Sequence, residues 1–169
     1  MRILLLRHGE PRRGGDEDPR ADYGLTEVGQ RQINTVAENM TDRIDRLVAS
    51  HLPRAQESAD IVARHLGIAR VVTEPMIGEI DEQQGPDIES LPSFLDRVGR
   101  AMALLAQADP GTTTLAVTHA GFIMGSVRSL FDIPTPGTGA RLEPRFASIT
   151  EWRNSEDIWE LVRFNVDRD

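Results

Sequence analysis

Two apolar runs in this chain stop at a histidine. Leu4-Leu5-Leu6 leads into Arg7-His8-Gly9-Glu10, and Leu115-Ala116-Val117-Thr118 leads into His119-Ala120-Gly121. Arginine, imidazole and glycine together suit the handling of a phosphoryl group. A guanidinium offers a planar fork to two oxygens, an imidazole titrates near neutral pH, and a residue without Cβ lets backbone N–H groups approach an anion closely. In open α/β sheets ligands collect beyond the carboxyl ends of the strands, where loops supply the chemistry. Two histidines that end two strands are therefore expected to share one pocket.

The elements that must position them alternate strand and helix in the manner of a doubly wound sheet. Residues 2–7 read as a strand. Thr26 reads as the N-cap of a helix reaching about Met40, with Val28, Ile33, Val36, Ala37 and Met40 spaced for one buried face. A strand over Arg46–Ser50 follows. Pro53 suits the first turn of the next helix, which carries Ala55, Ala59, Val62 and Leu66 on one stripe and stops at Gly67. Val71–Thr73 is a short strand. Leu91 to Ala108 is the clearest amphipathic helix, since Leu91, Phe94, Leu95, Val98, Ala101, Met102 and Leu105 follow the helical period. Thr113–Thr118 reads as a strand and Phe122 to Phe131 as a helix. Ala147–Trp152 and Trp159–Phe164 close the chain as two strands joined around Asn154–Asp157. None of these local signals gives the order of the strands in the sheet.

Composition removes several chemistries. All 19 basic residues are arginine and none is lysine, so neither a P-loop lysine nor a Schiff base is available. The absence of cysteine excludes thiol phosphatases, disulfides and thiolate metal sites. The four histidines, His8, His51, His65 and His119, have no metal-ligand spacing, so nothing local suggests zinc; a carboxylate-only magnesium site stays open to the residues alone, and no other cofactor is expected. A formal net charge of −8 disfavours nucleic acid and anionic membrane as partners. The apolar runs are too short for a signal-peptide core or for the roughly 20 residues of a membrane span, which points to the cytoplasm. Without a linker, repeat or composition break, residues 1–169 are expected to form one domain.

The order of the motifs resembles the histidine phosphatase superfamily, also called phosphoglycerate mutase-like. Arg7-His8-Gly9 resembles its N-terminal hallmark, Leu25-Thr26-Glu27-Val28-Gly29-Gln30-Arg31-Gln32 its L-T-x-x-G-x-x-Q, and Ser50-His51-Leu52-Pro53-Arg54-Ala55 its S-x-L-x-R-A. Glu89-Ser90 with Phe94 and Arg97-Val98 is similar to its E-S-x-x-x-F-x-x-R-V segment, and His119-Ala120-Gly121 to the region of its second histidine. The resemblance implies a three-layer α/β/α sandwich on a mostly parallel central sheet. It further implies a single catalytic domain that needs no metal.

The same resemblance implies roles for side chains. His8 would be the nucleophile, forming a phosphohistidine that splits one difficult displacement into two easier ones. Arg7 and Arg54 would clamp the phosphoryl oxygens, with Gly9 and Ala120 contributing at the same site. His119 would hydrogen-bond the phosphoryl group as charge builds. Glu79 stands where the family carries its acid/base glutamate, with Asp81 and Glu82 as rivals. Arg12, Arg13 and His51 are candidates for substrate contact, alongside ordinary surface roles. His65 reads as a helix surface residue, and Trp152 and Trp159 as packing.

The family's mutases carry a longer, basic insertion after the glutamate. Here the stretch from Glu79 to Glu89 holds Glu79, Asp81, Glu82, Asp87 and Glu89 and no arginine, which would repel a doubly anionic substrate. A phosphomonoester hydrolase acting on a small phosphorylated metabolite is the expected function, with a neutral or cationic leaving group favoured. The alternatives are a phosphoglycerate mutase-type phosphotransferase, a phosphohistidine protein phosphatase and a non-catalytic phospho-ligand binding protein. A homodimer is compatible with the sequence.

Overall fold

The first apolar run is a strand buried on both sides. β1 (Arg2–Arg7) sends Ile3 and Leu5 to one face and Leu4 and Leu6 to the other, and all four are fully buried. Such a run needs partners on both edges and layers on both faces. A computed structural model, which describes residues 1–14, 22–80, 89–134, 142–156 and 158–167, shows how they are supplied.

The remaining strands are β2 (Pro11–Arg13), β3 (Asp22–Leu25), β4 (Arg46–Ala49), β5 (Val71–Thr73), β6 (Thr113–Thr118), β7 (Ile149–Ser155) and β8 (Ile158–Val166). Six of the strands form one sheet in the order β5-β4-β6-β1-β7-β8. β5, β4, β6 and β1 run parallel, while β7 pairs antiparallel with both β1 and β8. β2 and β3 form a separate antiparallel pair.

Helices α1 (Glu27–Glu38), α2 (Pro53–Leu66), α3 (Leu91–Leu105) and α4 (Ala120–Leu130) cover the two faces. Ile33 and Val36 of α1 and Ala55, Ala59 and Val62 of α2 pack with Leu4, Leu6, Leu47 and Val117. Phe94, Val98, Ala101 and Met102 of α3 and Phe122 and Ile123 of α4 pack with Ile3, Leu5, Val48 and Ala116 on the opposite face. The protein is thus an α/β sandwich on a mostly parallel sheet.

Helix ends follow the local chemistry. Thr26 caps α1 by accepting from the Gly29 N–H at 3.0 Å. Gly67 closes α2 in the left-handed region at φ 65°, and Ser90 caps α3 by accepting from the Ser93 N–H at 3.3 Å. Several sequence expectations shift. α1 stops before Met40, and Val28 is exposed because the buried arc runs through Gly29, Ile33, Val36 and Ala37. α3 ends at Leu105 rather than Ala108, just before the Asp109-Pro110-Gly111 turn. α4 begins two residues earlier than Phe122, directly after His119. The first closing strand starts at Ile149 rather than Ala147, whose left-handed φ of 58° keeps it out of the strand, and both closing strands run further than expected to a tighter connection at Ser155–Ile158. Arg12 and Arg13, expected in a loop, lie in β2. A three-residue strand against a four-residue partner is too short to show alternation in sequence.

Trp152 is buried, donates Nε1–H to Ser126 Oγ at 3.2 Å and meets Trp159 edge to face at 6.2 Å. His65 is exposed and bonded to Asn34. Among the described residues no helix is long and apolar enough to cross a membrane.

Candidate active site

Strand order decides what meets what. β6 lies between β4 and β1, and all three run the same way, so the segments after Ala49, Thr118 and Arg7 emerge side by side at the carboxyl edge. Arg7 is in register with Thr118, and the His8 N–H donates to the Thr118 carbonyl at 3.0 Å. His8 and His119 therefore become neighbours, with ring centroids 5.1 Å apart and planes tilted by 57°. Arg54, in the first turn of α2, completes the cluster.

The hydrogen bonds define the state of each imidazole. His8 Nδ1 lies 2.7 Å from the Gly9 carbonyl oxygen, which can only accept, so Nδ1 carries the proton. Nε2 then has the lone pair, and it accepts from Arg54 Nε–H at 3.1 Å. Arg54 Nη1 also bonds Asp22 Oδ2 at 2.5 Å, in a pair whose side chains are only 6% and 11% exposed. Asp22 is in turn fixed by the Gly24 N–H at 3.0 Å. A buried carboxylate thus holds the guanidinium against His8.

His119 stands at the N-cap position of α4, makes no side-chain bond to the helix, and is fully buried. Its Nε2 lies 2.8 Å from Ser50 Oγ, which accepts from the Leu52 N–H at 3.4 Å. Where the Ser50 hydroxyl donates to Nε2, the proton of a neutral His119 sits on Nδ1. That Nδ1 is buried without a hydrogen-bond partner among the described residues. Burial, and then the charges of His8, Arg54, His51 and Arg7, hold the His119 imidazole well below the usual histidine range.

The sign of the linkage follows. A histidine depressed in the folded state but ordinary when unfolded lets the unfolded chain bind more protons, so stability is lost as pH falls below about 6.5. Sulfate, which stays dianionic there, would supply the missing countercharge. Denaturant unfolding at pH 7.5 and 5.5 should show a loss of stability at the lower pH, partly reversed by sulfate. His119→Asn should flatten this dependence, and an unchanged pH slope in that variant would exclude His119 as its origin.

Arg7 sits at the end of β1. Its guanidinium donates to the Pro144 carbonyl and stacks on Phe146, with Cζ 4.0 Å from the ring centroid. The Phe146 ring is also 5.7 Å from the His8 ring, so both side chains meet one aromatic. Ala147, next in the chain, has φ 58° and donates its N–H to the Arg7 carbonyl at 3.1 Å. A left-handed alanine is uncommon, and here it turns the chain so that Phe146 faces the two motif residues.

Glu79 follows the 3₁₀ turn Pro75–Ile77, which Thr118 Oγ1 fastens by donating to the Ile77 carbonyl at 2.6 Å. The Glu79 carboxylate accepts from the Gly121 N–H at 3.2 Å and the Ile80 N–H at 3.0 Å. It therefore rests on the N-terminus of α4, beside His119. A Cβ on Gly121 would lie 1.9 Å from Glu79 Oε1, so that glycine accommodates the protein's own carboxylate rather than a substrate anion. Asp81 and Glu82 lie outside the described residues.

Gly9 also has a different use from the one expected. Its N–H donates to Ser58 Oγ at 3.2 Å, and a Cβ there would meet the Gly29 carbonyl oxygen at 2.4 Å. The glycine allows the segment after β1 to pass close to the start of α1, and its N–H is committed to the scaffold. Ala120 is the first residue of α4, where the N–H groups have no intrahelical partner. His51 is exposed, with its ring against Gly78: a Cβ there would meet His51 Cε1 at 3.2 Å. Arg12 is exposed and donates to the Tyr23 carbonyl at 2.7 Å. The Arg13 side chain lies outside the described residues. No group of three or more His, Asp or Glu among the described residues is arranged to hold a metal ion.

A sequence profile of the histidine phosphatase superfamily (branch 1) matches residues 3–84 and 79–167. The chain belongs to this superfamily. A probable phosphoglycerate mutase GpmB of Yersinia enterocolitica is 27% identical, over 94% of this chain and 87% of that protein. Among solved structures, the mycobacterial glucosyl-3-phosphoglycerate phosphatase in complex with VO3 shares the fold with a TM-score of 0.76 at 21% identity, covering 98% of this chain and 99% of that one. A mutant phosphoserine phosphatase of Entamoeba histolytica in complex with phosphoserine gives a TM-score of 0.75 at 20% identity, over 97% and 96% of the two chains. Membership of the superfamily indicates a phosphatase or phosphotransferase, and the solved neighbours show the shared fold.

Asp22, Ser50 and Phe146 receive no role from sequence, although Ser50 opens the motif Ser50–Ala55 matched to the superfamily. Ser50 had a signal, because it ends the β4 run at the same level as the two histidines. Asp22 and Phe146 had none, since their partners are distant in sequence.

Proposed function

We propose that the protein is a phosphomonoester hydrolase that forms a phosphohistidine on His8 Nε2 during hydrolysis of a small phosphorylated metabolite, with residues 1–169 acting as one catalytic domain. The observation that carries this reading is the buried pair of imidazoles: His8 with its Nε2 lone pair on Arg54, and His119 with a buried Nδ1 that has no partner among the described residues. A phosphoryl oxygen would accept from that Nδ1–H and from the guanidinium groups of Arg54 and Arg7.

In the first step Nε2 attacks phosphorus, the bond to the ester oxygen breaks, and Glu79 gives that oxygen its proton. The Arg54 Nε–H that covers the lone pair in the resting site moves to a phosphoryl oxygen. In the second step the Glu79 carboxylate takes a proton from water, the water oxygen bonds to phosphorus, and the phosphorus–nitrogen bond breaks. Phosphate leaves and His8 returns to its starting state. The two N–H groups on Glu79 suit the carboxylate form that this second step needs.

Hydrolysis is preferred to mutase chemistry because the stretch from Glu79 to Glu89 carries five acids and no arginine to hold a second anionic group. Residues 81–88 lie outside the described part, so this support comes from the sequence. The GpmB-like relative keeps a phosphotransferase as the second reading.

A panel of phosphate monoesters assayed for released phosphate tests the proposal. p-Nitrophenyl phosphate should be hydrolysed at least slowly, while 3-phosphoglycerate with bisphosphoglycerate should give little or no 2-phosphoglycerate. Glu79→Gln should slow alkyl esters by on the order of 10²-fold or more and nitrophenyl esters far less, because only the former need the proton. Equal losses on both would move the acid role elsewhere, and efficient cofactor-dependent mutase turnover would overturn the hydrolase reading.

A further inference from the structure

Arg97 on α3 is an arginine of the site region that has no donor left for a substrate. Its Nε donates to Glu89 Oε1 at 2.7 Å and its Nη2 to Glu89 Oε2 at 2.6 Å. Nη1 donates to the Met76 carbonyl at 2.7 Å and to the Gly78 carbonyl at 3.1 Å, and Nη2 also to the Glu79 carbonyl at 3.1 Å. A guanidinium carries five N–H donors, and these five bonds account for them all. The Phe94 ring lies beneath, with Arg97 Cζ 4.9 Å from its centroid. One planar group thus grips the backbone on both sides of Ile77 and reaches the carbonyl of Glu79 itself.

Among the described residues, the Glu79 carboxylate itself is held by the Gly121 and Ile80 N–H groups. Those bonds place it beside His119 only if the Gly78–Ile80 backbone keeps its position, and α3 supplies that constraint through Arg97. Glu89 fixes the guanidinium orientation with a two-point bond in a half-buried setting, where both side chains are less than one-fifth exposed.

We propose that Arg97, oriented by Glu89, is a positioning residue that aims the Glu79 carboxylate at the leaving oxygen. This rests on the reading of Glu79 as the acid/base group, and the two can fail separately. Lysine offers three donors and no planar fork, so it cannot hold Glu89 and three carbonyls together.

The test compares glycerol phosphate, a poor leaving group, with p-nitrophenyl phosphate in wild type, Arg97→Lys, Glu89→Gln and Glu79→Gln. Arg97→Lys should lose about tenfold more kcat on glycerol phosphate than on p-nitrophenyl phosphate, with KM little changed, a fraction of the general-acid effect. Glu89→Gln keeps one acceptor oxygen and should lose in the same direction by less, which covers the case of a poorly folded Arg97 variant. Equal losses on the two esters in both variants, while Glu79→Gln remains selective, would overturn the positioning role and leave the acid role standing. A Glu79→Gln variant with no selectivity would overturn both.

Discussion

His8→Ala should lower kcat for every phosphomonoester by on the order of 10⁴-fold or more, the scale seen when a covalent nucleophile is removed. The expectation rests on the lone pair at Nε2, which no other side chain of the described site duplicates in place. Although the His119 imidazole is 5.1 Å away, its Nε2 is engaged with Ser50 Oγ. The substitution should leave the fold intact, because Arg54 retains Asp22 and the Gly9 N–H retains Ser58. A melting temperature close to wild type with turnover lost would match this account. Turnover within tenfold of wild type would mean that the nucleophile lies elsewhere.

Arg54→Gln should be the second most damaging change, and it acts twice. In the proposed mechanism it removes a charged donor from the phosphoryl group as well as the Nε–H on His8, an effect of about 10²- to 10³-fold on kcat by analogy with the loss of one preorganised donor. It also leaves the Asp22 carboxylate buried without its cation, which costs about 3 kcal/mol of stability. The two effects separate in a double variant. Asp22→Asn with Arg54→Gln removes the stranded charge, so much of the stability should return while activity stays low. Recovery of activity with stability would show that Arg54 matters to the fold and not to the chemistry.

Much of the scaffold was legible because its signals are local. The run from Ile3 to Leu6 has no polar residue and so demanded a strand covered on both faces, and Thr26, Pro53 and Gly67 mark helix ends by their own backbone chemistry. The two histidines were legible for the same reason, since each ends an apolar run. What remained hidden depends on contacts between distant segments. Only the placement of β6 between β4 and β1 brings Ser50 to His119, and only the short β2–β3 pair delivers Asp22 to Arg54. Phe146 reaches Arg7 through a left-handed alanine, a conformation that alanine does not advertise. Gly9 and Gly121 illustrate a subtler limit. Both were read as room for a ligand, yet the room is filled from inside the protein, by the Gly29 backbone and by the Glu79 carboxylate. A glycine in sequence reports that something approaches closely and not what it is.

The central claim is a covalent bond between phosphorus and His8 Nε2. Mixing the enzyme with a phosphomonoester labelled in the phosphoryl group, quenching within milliseconds under alkaline conditions that preserve phosphoramidates, and mapping the peptides tests it most directly. Label confined to the peptide containing His8, absent from His8→Ala and discharged to phosphate at the rate of turnover, is the predicted result. Phosphate release at the normal rate without label on His8, or label on another residue, would contradict the mechanism.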